Sequence, residues 1–182
     1  MFTPGFPVST IPGRNEQSKI FTEPASTTQK YPVGMRMQDE RGREYIYLKI
    51  AASTVITAGQ CCALANAGAD PLTLTNANEA TYAWSPCGIA MAAAASSATA
   101  QYMWFCIYAP PQALGSVLCA ASVAVYIHLG TTGTAGALQS VTSTGSEEVR
   151  GIILTTSQGT DAGVNDTAII NYPYITNLAH AS

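Results

Sequence analysis

Two histidines and five cysteines are the side chains of this sequence that could act as a general base, a nucleophile or a soft metal ligand. His128 lies in the apolar run 125–129, and His180 lies two residues before the last one. A dyad of His128 with a cysteine is conceivable, because such dyads form in space and not along the chain. No nucleophile elbow accompanies these residues. We therefore expect no catalytic residue, and we expect His128 to be a partly buried strand residue with a backbone partner.

The cysteines show neither metal-ligand spacing nor a framework for pairing. They are Cys61, Cys62, Cys87, Cys106 and Cys119. Structural zinc sites repeat a short C-x-x-C spacing, which is missing here. Adjacent residues on a strand point to opposite faces, so Cys61 and Cys62 cannot share one side. We interpret all five as small apolar fillers of a protein that folds in a reducing cytosol, with no metal or other cofactor.

Carboxylates occur in two places where they could do chemistry. The segment 39–44 alternates acids and arginines around Gly42, which predicts a solvated hairpin tip whose charges compensate one another. Asp161 and Asp166 lie in a glycine-containing segment that could offer oxygen ligands to Ca²⁺, but the EF-hand spacing is absent. We expect a surface turn there. The glycines of 130–136 lack the Lys and the strand–helix context of a phosphate-binding loop.

Charge is sparse and unevenly distributed. The 182 residues include 8 Lys and Arg and 11 Asp and Glu, a net charge of -3. None of these charges lies between Ala80 and Ser146, and Arg150 is the only cation after Lys49. Such a composition excludes a basic surface for nucleic acid. Because charge normally keeps protein surfaces apart, we expect much of this surface to be covered by other protein.

The apolar runs are too short for a membrane-spanning helix, which needs about 20 continuous apolar residues. Pro110 and Pro111 end one run, and 117–129 falls short of a span. The first residues show neither a basic region nor an apolar core of a secretory signal. We therefore expect neither membrane insertion nor secretion.

The chain divides into an arm and a β-rich body. Residues 1–33 carry five prolines and no sustained period, which predicts an extended N-terminal arm. Residues 34–182 consist of short β-forming runs separated by Gly, Ser, Thr, Asn and Pro, which is typical of an all-β barrel or sandwich of short antiparallel strands. Glu44–Ile50 alternates Tyr45, Tyr47 and Lys49 with Ile46, Leu48 and Ile50, and it forms a predicted hairpin with Arg36–Asp39.

Further strands are predicted from composition and turn signals. They are Cys61–Leu64, Leu72–Thr75, Cys87–Met91, Tyr102–Tyr108, Val117–Cys119, Ala124–His128, Val149–Leu154 and Ala168–Tyr172. The segment Met91–Ala95 is rich in Ala but is predicted as a loop at a strand end. Pro86–Met91 and Val149–Leu154 are similar, and each precedes a strongly apolar strand, so two like hairpins could pair around a closed sheet.

An ordered series of motifs resembles the small head decoration, or capsid cement, proteins of tailed bacteriophages. The series begins with Asp39–Lys49 and an Ala-Gly-Gln turn at Ile56–Gln60. It continues through Pro86–Ala90, Gln101–Phe105, Thr134–Leu138, Gly151–Leu154 and Ile169–Pro173. The resemblance covers roughly 34–174. Each piece alone is common strand-and-turn chemistry, and the order of the pieces is what carries the resemblance.

The resemblance implies a structural, non-enzymatic virion protein on the outer surface of a capsid, made in the host cytoplasm. Such a subunit is often a homotrimer, and it stabilises the head by bridging neighbouring major capsid protein subunits. On this interpretation the arm contacts the capsid through its apolar residues, Phe2, Phe6, Ile11, Phe21 and Tyr31. Deleting residues 1–33 would then reduce the occupancy on heads. The alternative function is a β-rich phage fibre or a receptor- or glycan-binding module, which would place aromatic residues on loops and strand ends.

Overall fold

The computed structural model describes residues 19–64, 84–132, 136–141, 147–157 and 163–176, together with the strand assignment of residues 72–73. Within these residues eleven strands form. They are β1 (Arg36–Gln38), β2 (Glu44–Ile50), β3 (Cys61–Ala63), β4 (Leu72–Thr73), β5 (Cys87–Ala90), β6 (Gln101–Ala109), β7 (Gly115–Cys119), β8 (Leu129–Thr131), β9 (Leu138–Ser140), β10 (Glu148–Leu154) and β11 (Val164–Thr176). The predicted all-β class is confirmed.

Five strands close into a barrel. Starting from β11, each strand pairs with the next in the order β7, β9, β8 and β10, and β10 pairs again with β11. Only the β7–β9 pair of this ring is parallel. Closure removes the free edges that an open sheet would expose.

The remaining strands extend from the barrel as a sheet. β6 continues the sheet from β11, with Ile170 opposite Ala109, and it pairs along its length with β2. β5 also pairs with β6, and β3 and β4 follow outward from it. The two similar hairpins, β5–β6 and β10–β11, therefore lie side by side through the β6–β11 pair, as predicted, but β5 and β6 lie outside the closed ring, so the two hairpins do not share a closed sheet.

Strand β2 is buried on both faces, which explains its unbroken run of β-forming residues. Tyr45 and Tyr47 pack in the larger apolar cluster, which continues into the barrel interior. Leu48 and Ile50 pack in a second cluster on the opposite face of the sheet. The alternation predicted from the sequence is confirmed, and both of its faces are core.

One predicted strand is wrong. The segment 124–128 contains two turn residues, and Tyr126 has φ +57°, a left-handed conformation that lies outside the β region of regular strands. The strand instead begins at Leu129. The β-forming residues of this segment lie in a turn, and the side chains of Tyr126 and His128 are exposed to solvent. The predicted loop at Met91–Ala95 is confirmed: it bends, and Ala94 forms an isolated bridge with Ile56.

Strand β11 is longer than predicted and carries an irregularity. Arg150 lies opposite Tyr174, whereas Ile152 lies opposite Ile170, so residues 171–173 bulge against Gly151 alone. Gly151 has φ +83° and Tyr172 has φ +43°. Pro173 fits here because a bulge does not need its missing N–H.

Candidate interaction surface

The predicted arm residues fall into two groups. Phe2, Phe6 and Ile11 lie outside the described residues. Phe21 is 1% exposed and stacks on Tyr45 with ring centroids 4.0 Å apart. Phe21 therefore packs inside its own chain and does not offer the surface contact predicted for it.

Tyr31 is half-buried against the same part of the body. Its ring meets Tyr47 edge-to-face at 5.2 Å and lies 5.3 Å from Trp104. Ser26 exchanges backbone hydrogen bonds with Tyr102, at 3.1 and 2.8 Å. Residues 19–33 thus form part of the folded body, although the sequence predicted an arm as far as residue 33.

His128 is exposed, and its observed partner is a carboxylate. Its side chain is 78% exposed, and Nδ1 contacts Oε1 of Glu148. The second carboxylate oxygen of Glu148 accepts a hydrogen bond from Nε of Arg150 at 3.1 Å. The predicted partly buried strand position with a backbone partner is wrong, because the turn before β8 directs the ring outward. We call these three residues the Glu148 cluster.

The Glu148 cluster is held by strand pairing. Glu148 lies opposite Gly130 across the β8–β10 pair, which places His128, two residues before Gly130, beside it. Its carboxylate is 6% exposed, whereas the Arg150 side chain is 53% exposed. Burial raises the pKa of Glu148, but the hydrogen bonds from His128 and Arg150 and the charge of Arg150 outweigh it, so the pKa lies below its usual value. Glu148 therefore remains ionised and holds both donors in place.

A cleft opens beside this cluster. Its volume is about 550 Å³, and it lies between the turn before β8 and the first six residues of β10. His128, Glu148 and Arg150 supply its polar groups, and Tyr126 and Ile153 supply apolar walls that are 74% and 43% exposed. The cleft therefore combines oriented donors with an exposed aromatic ring.

A patch of exposed aromatic side chains lies at the end of β11. Trp84 is 70% exposed, and its backbone N–H donates to the Ile175 oxygen at 2.8 Å. Tyr172 and Tyr174 are also exposed. The Tyr172 ring stacks on Tyr108 at 5.4 Å. We call Trp84, Tyr108, Tyr172 and Tyr174 the aromatic patch; Tyr108 and Tyr172 are in ring contact, and a backbone hydrogen bond to Ile175 places Trp84 beside β11.

The backbone at the most exposed aromatic residues is strained. Trp84 and Tyr126 have φ of +66° and +57°, and Tyr172 in the bulge has φ +43°. A bulky residue in this region costs about 1–2 kcal/mol and persists only where its surroundings require it. Such strain is concentrated at functional sites, and here it holds three rings in solvent.

The hairpin tip at 39–44 is not wholly solvated, contrary to the prediction. Asp39 is 6% exposed, and its carboxylate accepts hydrogen bonds from the backbone N–H groups of Arg41 and Arg43, from Nε of Arg43 at 2.7 Å and from the Tyr45 hydroxyl at 3.1 Å. Burial raises the pKa of Asp39, but these hydrogen bonds and the Arg43 charge lower it by more, so the net shift is downward. This network is structural, since it closes the β1–β2 turn.

The other candidate groups are buried. All five cysteines are free and buried, as predicted for apolar fillers, and Cys61 and Cys62 belong to different core clusters. Burial, followed by the nearby Asp166, raises the pKa of Cys119 to about 12, so its thiol is a poor nucleophile. Asp166 is a buried residue of β11, not of a surface turn, because it pairs with Val117 of β7. Asp161 lies outside the described residues.

The described residues contain no group of three or more His, Cys, Asp or Glu side chains placed to hold a metal ion. Among the same residues, no helix is long and apolar enough to cross a membrane. The exposed groups at the cleft and the aromatic patch are aromatic rings, a guanidinium and an imidazole.

Sequence reasoning missed both the Glu148 cluster and the aromatic patch. His128 and Glu148 are 20 residues apart, and only the β8–β10 register brings them together. The available signal was the isolation of Arg150 in a stretch without other cations. In comparisons with protein-family models, curated proteins and solved structures, no family, protein or structure matches this chain.

Proposed function

We propose that this chain is a structural virion protein that binds the outer surface of a phage capsid and bridges neighbouring major capsid protein subunits. The observation that carries the proposal is the aromatic patch: Trp84 and Tyr172 stand exposed on strained backbone in a chain that carries little charge. Exposed aromatic residues dominate the energetics of protein interfaces. The resemblance of motifs to decoration proteins supplies the class of partner.

The physics of capsid stabilisation agrees with this composition. A cement protein needs no catalytic group, only shape-matched surface that symmetry repeats over the lattice. Contacts at several points of a rigid lattice gain from effective concentration, so each contact need not be strong. A homo-oligomer, for which we favour a trimer, would present the aromatic patch several times.

The arm contributes through Phe2 and Phe6 on this proposal. Since Phe21 and Tyr31 pack within the body, the informative deletion is residues 1–18, which leaves the folded segment 19–33 in place. We expect this deletion to reduce saturable binding to expanded heads of the phage that encodes the chain. The substitution of Gln17 and Ser18 by alanine is the control within the same segment.

The aromatic patch is tested by Trp84→Ala combined with Tyr172→Ala. Both side chains are exposed, so the fold should survive, and we expect the affinity for heads to fall at least about tenfold, as for interface hot spots. Tyr126→Ala is the matched control, because Tyr126 is an aromatic residue at least as exposed as Trp84 and Tyr172 and lies outside the patch. If the double variant binds heads with unchanged affinity and stoichiometry, the aromatic patch is not part of the interface. Failure of the intact protein to bind heads at all would overturn the function.

A receptor- or glycan-binding module is the second candidate, favoured by the exposed Tyr126 and Arg150 at the cleft. The two functions predict different binding partners for the purified protein. A cement protein cosediments with heads and protects them against heat, whereas a fibre component binds host cells.

A further inference from the structure

We propose that the cleft beside the Glu148 cluster is a binding site for a carboxylate-bearing sugar. Arg150 and His128 would hold the carboxylate, and Tyr126 would pack against the sugar ring. This site borders the aromatic patch, because Arg150 contacts the Tyr174 hydroxyl, but it would take a different ligand and would give the protein a second, adhesive role.

The position of charge in the chain is the first argument. Arg150 is the only Lys or Arg after Lys49. The fold places it at the cleft beside His128, the only histidine among the described residues. The only Lys or Arg after Lys49 thus lies beside an imidazole at one concave surface, where the two groups offer hydrogen-bond donors to an anion.

The second argument is how the two donors are oriented. Glu148 is buried and uses one carboxylate oxygen for each of them. Because Nδ1 of His128 faces Glu148, its Nε2 is left for a ligand on a side chain that is 78% exposed. An arginine has five N–H donors, so its contacts with Glu148 and the Tyr174 hydroxyl leave donors for a further acceptor. Guanidinium groups match planar carboxylates through parallel hydrogen bonds.

The third argument concerns size and the aromatic wall. A volume of about 550 Å³ lies within the range of small-ligand sites, which is about 300–1,000 Å³. Tyr126 is 74% exposed and is kept at the rim by backbone with φ +57°. A ring at this position offers an apolar face to the C–H groups of a sugar, and a Tyr side chain has only two χ angles to order on binding.

Titration calorimetry on the full chain tests the proposal with two matched ligands, methyl glucuronide and methyl glucoside, which differ in the carboxylate. We expect the glucuronide to bind at least about tenfold more tightly, which is the effect of one charge-assisted hydrogen-bonded pair. Acetate and N-acetyl-aspartate amide are the further probes. Equal binding of glucuronide and glucoside, tighter binding of either carboxylate without a sugar, or no glucuronide binding at millimolar concentration would overturn the proposal.

Variants locate the site. Arg150→Gln and Tyr126→Ala should each weaken glucuronide binding about tenfold, whereas Arg41→Gln, which alters an exposed arginine of the hairpin tip, should not change it. Arg150→Lys retains the charge beside Glu148, so it serves as the test variant if Arg150→Gln fails to fold. It should bind glucuronide less tightly than the native protein, because Lys lacks the planar guanidinium. If Arg150→Gln binds glucuronide like the native chain, the site is elsewhere and the proposal fails. Head binding should be unaffected by Tyr126→Ala, because Tyr126 lies outside the aromatic patch, so the outcome for this variant is distinct from that of the proposed function.

Discussion

At the scale of single residues, the chain uses two of its few charges as buried, fully engaged groups. Asp39 accepts four hydrogen bonds and Glu148 contacts two donors, and both are buried. A buried charge is tolerated only when it is paired and hydrogen-bonded. These two carboxylates therefore fix local geometry: one closes a turn, and the other orients two donors toward the cleft.

Asp39→Asn should lower the free energy of unfolding at pH 7 by about 2 kcal/mol, the value of hydrogen bonds to a charged group. The folded-state pKa of Asp39 lies below the ordinary 3.8. Its stabilising contribution is therefore fully present above that value and is lost as the pH falls through the folded-state pKa. The difference between the native protein and Asp39→Asn should therefore narrow only at pH values below 3.8.

Urea unfolding at several pH values measures this difference. Glu40→Gln is the control, because Glu40 is the exposed neighbour of Asp39 in the same turn. A gap between the native protein and the Asp39→Asn variant that stays constant from neutral to acidic pH would show that the Asp39 charge contributes nothing to folding.

At the scale of elements, the bulge between β10 and β11 shapes the surface. It directs Tyr172 outward, where its hydroxyl donates to Glu44 at 2.8 Å. A bulge re-aims side chains at the cost of local ladder pairing. Part of the aromatic patch thus depends on Gly151, which occupies the position opposite the extra residues.

Gly151→Ala should destabilise the protein by about 3 kcal/mol, since a left-handed alanine costs about 1 kcal/mol and the added methyl group clashes. A Cβ on Gly151 would lie 2.5 Å from the Asn171 oxygen and 3.0 Å from Cα of Pro173. Gly163→Ala is the control: its φ of +77° is similar, but nothing lies within 4 Å of an added Cβ. Denaturant unfolding of both variants separates crowding from strain, and equal losses would contradict the role assigned to the bulge.

Most strands could be predicted from the sequence because their cues are local. Alternation identified β2, and turn residues bounded β5, β6, β7 and β10. The ends of β11 could not be predicted, because Asp166 and Pro173 are poor strand formers that tertiary pairing accommodates. The Glu148 cluster could not be predicted for the same reason, because strand register brings its members together and no local sequence motif does.

At the scale of the whole molecule, the sheet that extends from the barrel needs a cover, and residues 19–33 supply part of it. Phe21 lies between Tyr45 and Trp104, at 4.0 and 5.2 Å from their ring centroids. The folded body therefore includes Ile20 as well, which belongs to the larger core cluster. A proline-rich composition predicted an extended arm, but residues 19–33 contain turns and bends and pack against the sheet.

Phe21→Ala should cost about 3 kcal/mol or more, because a fully buried aromatic side chain leaves a cavity when it is truncated. For a protein of this length, a loss of that size lowers Tm by roughly 6–12 °C. Tyr126→Ala is the matched aromatic control, and it should shift Tm little, since its ring is 74% exposed. Calorimetric scans of the three proteins measure the effect. If Phe21→Ala and Tyr126→Ala have the same Tm, residues 19–33 do not contribute to the stability of the fold. Phe21 would then again be a candidate for contact with a neighbouring subunit.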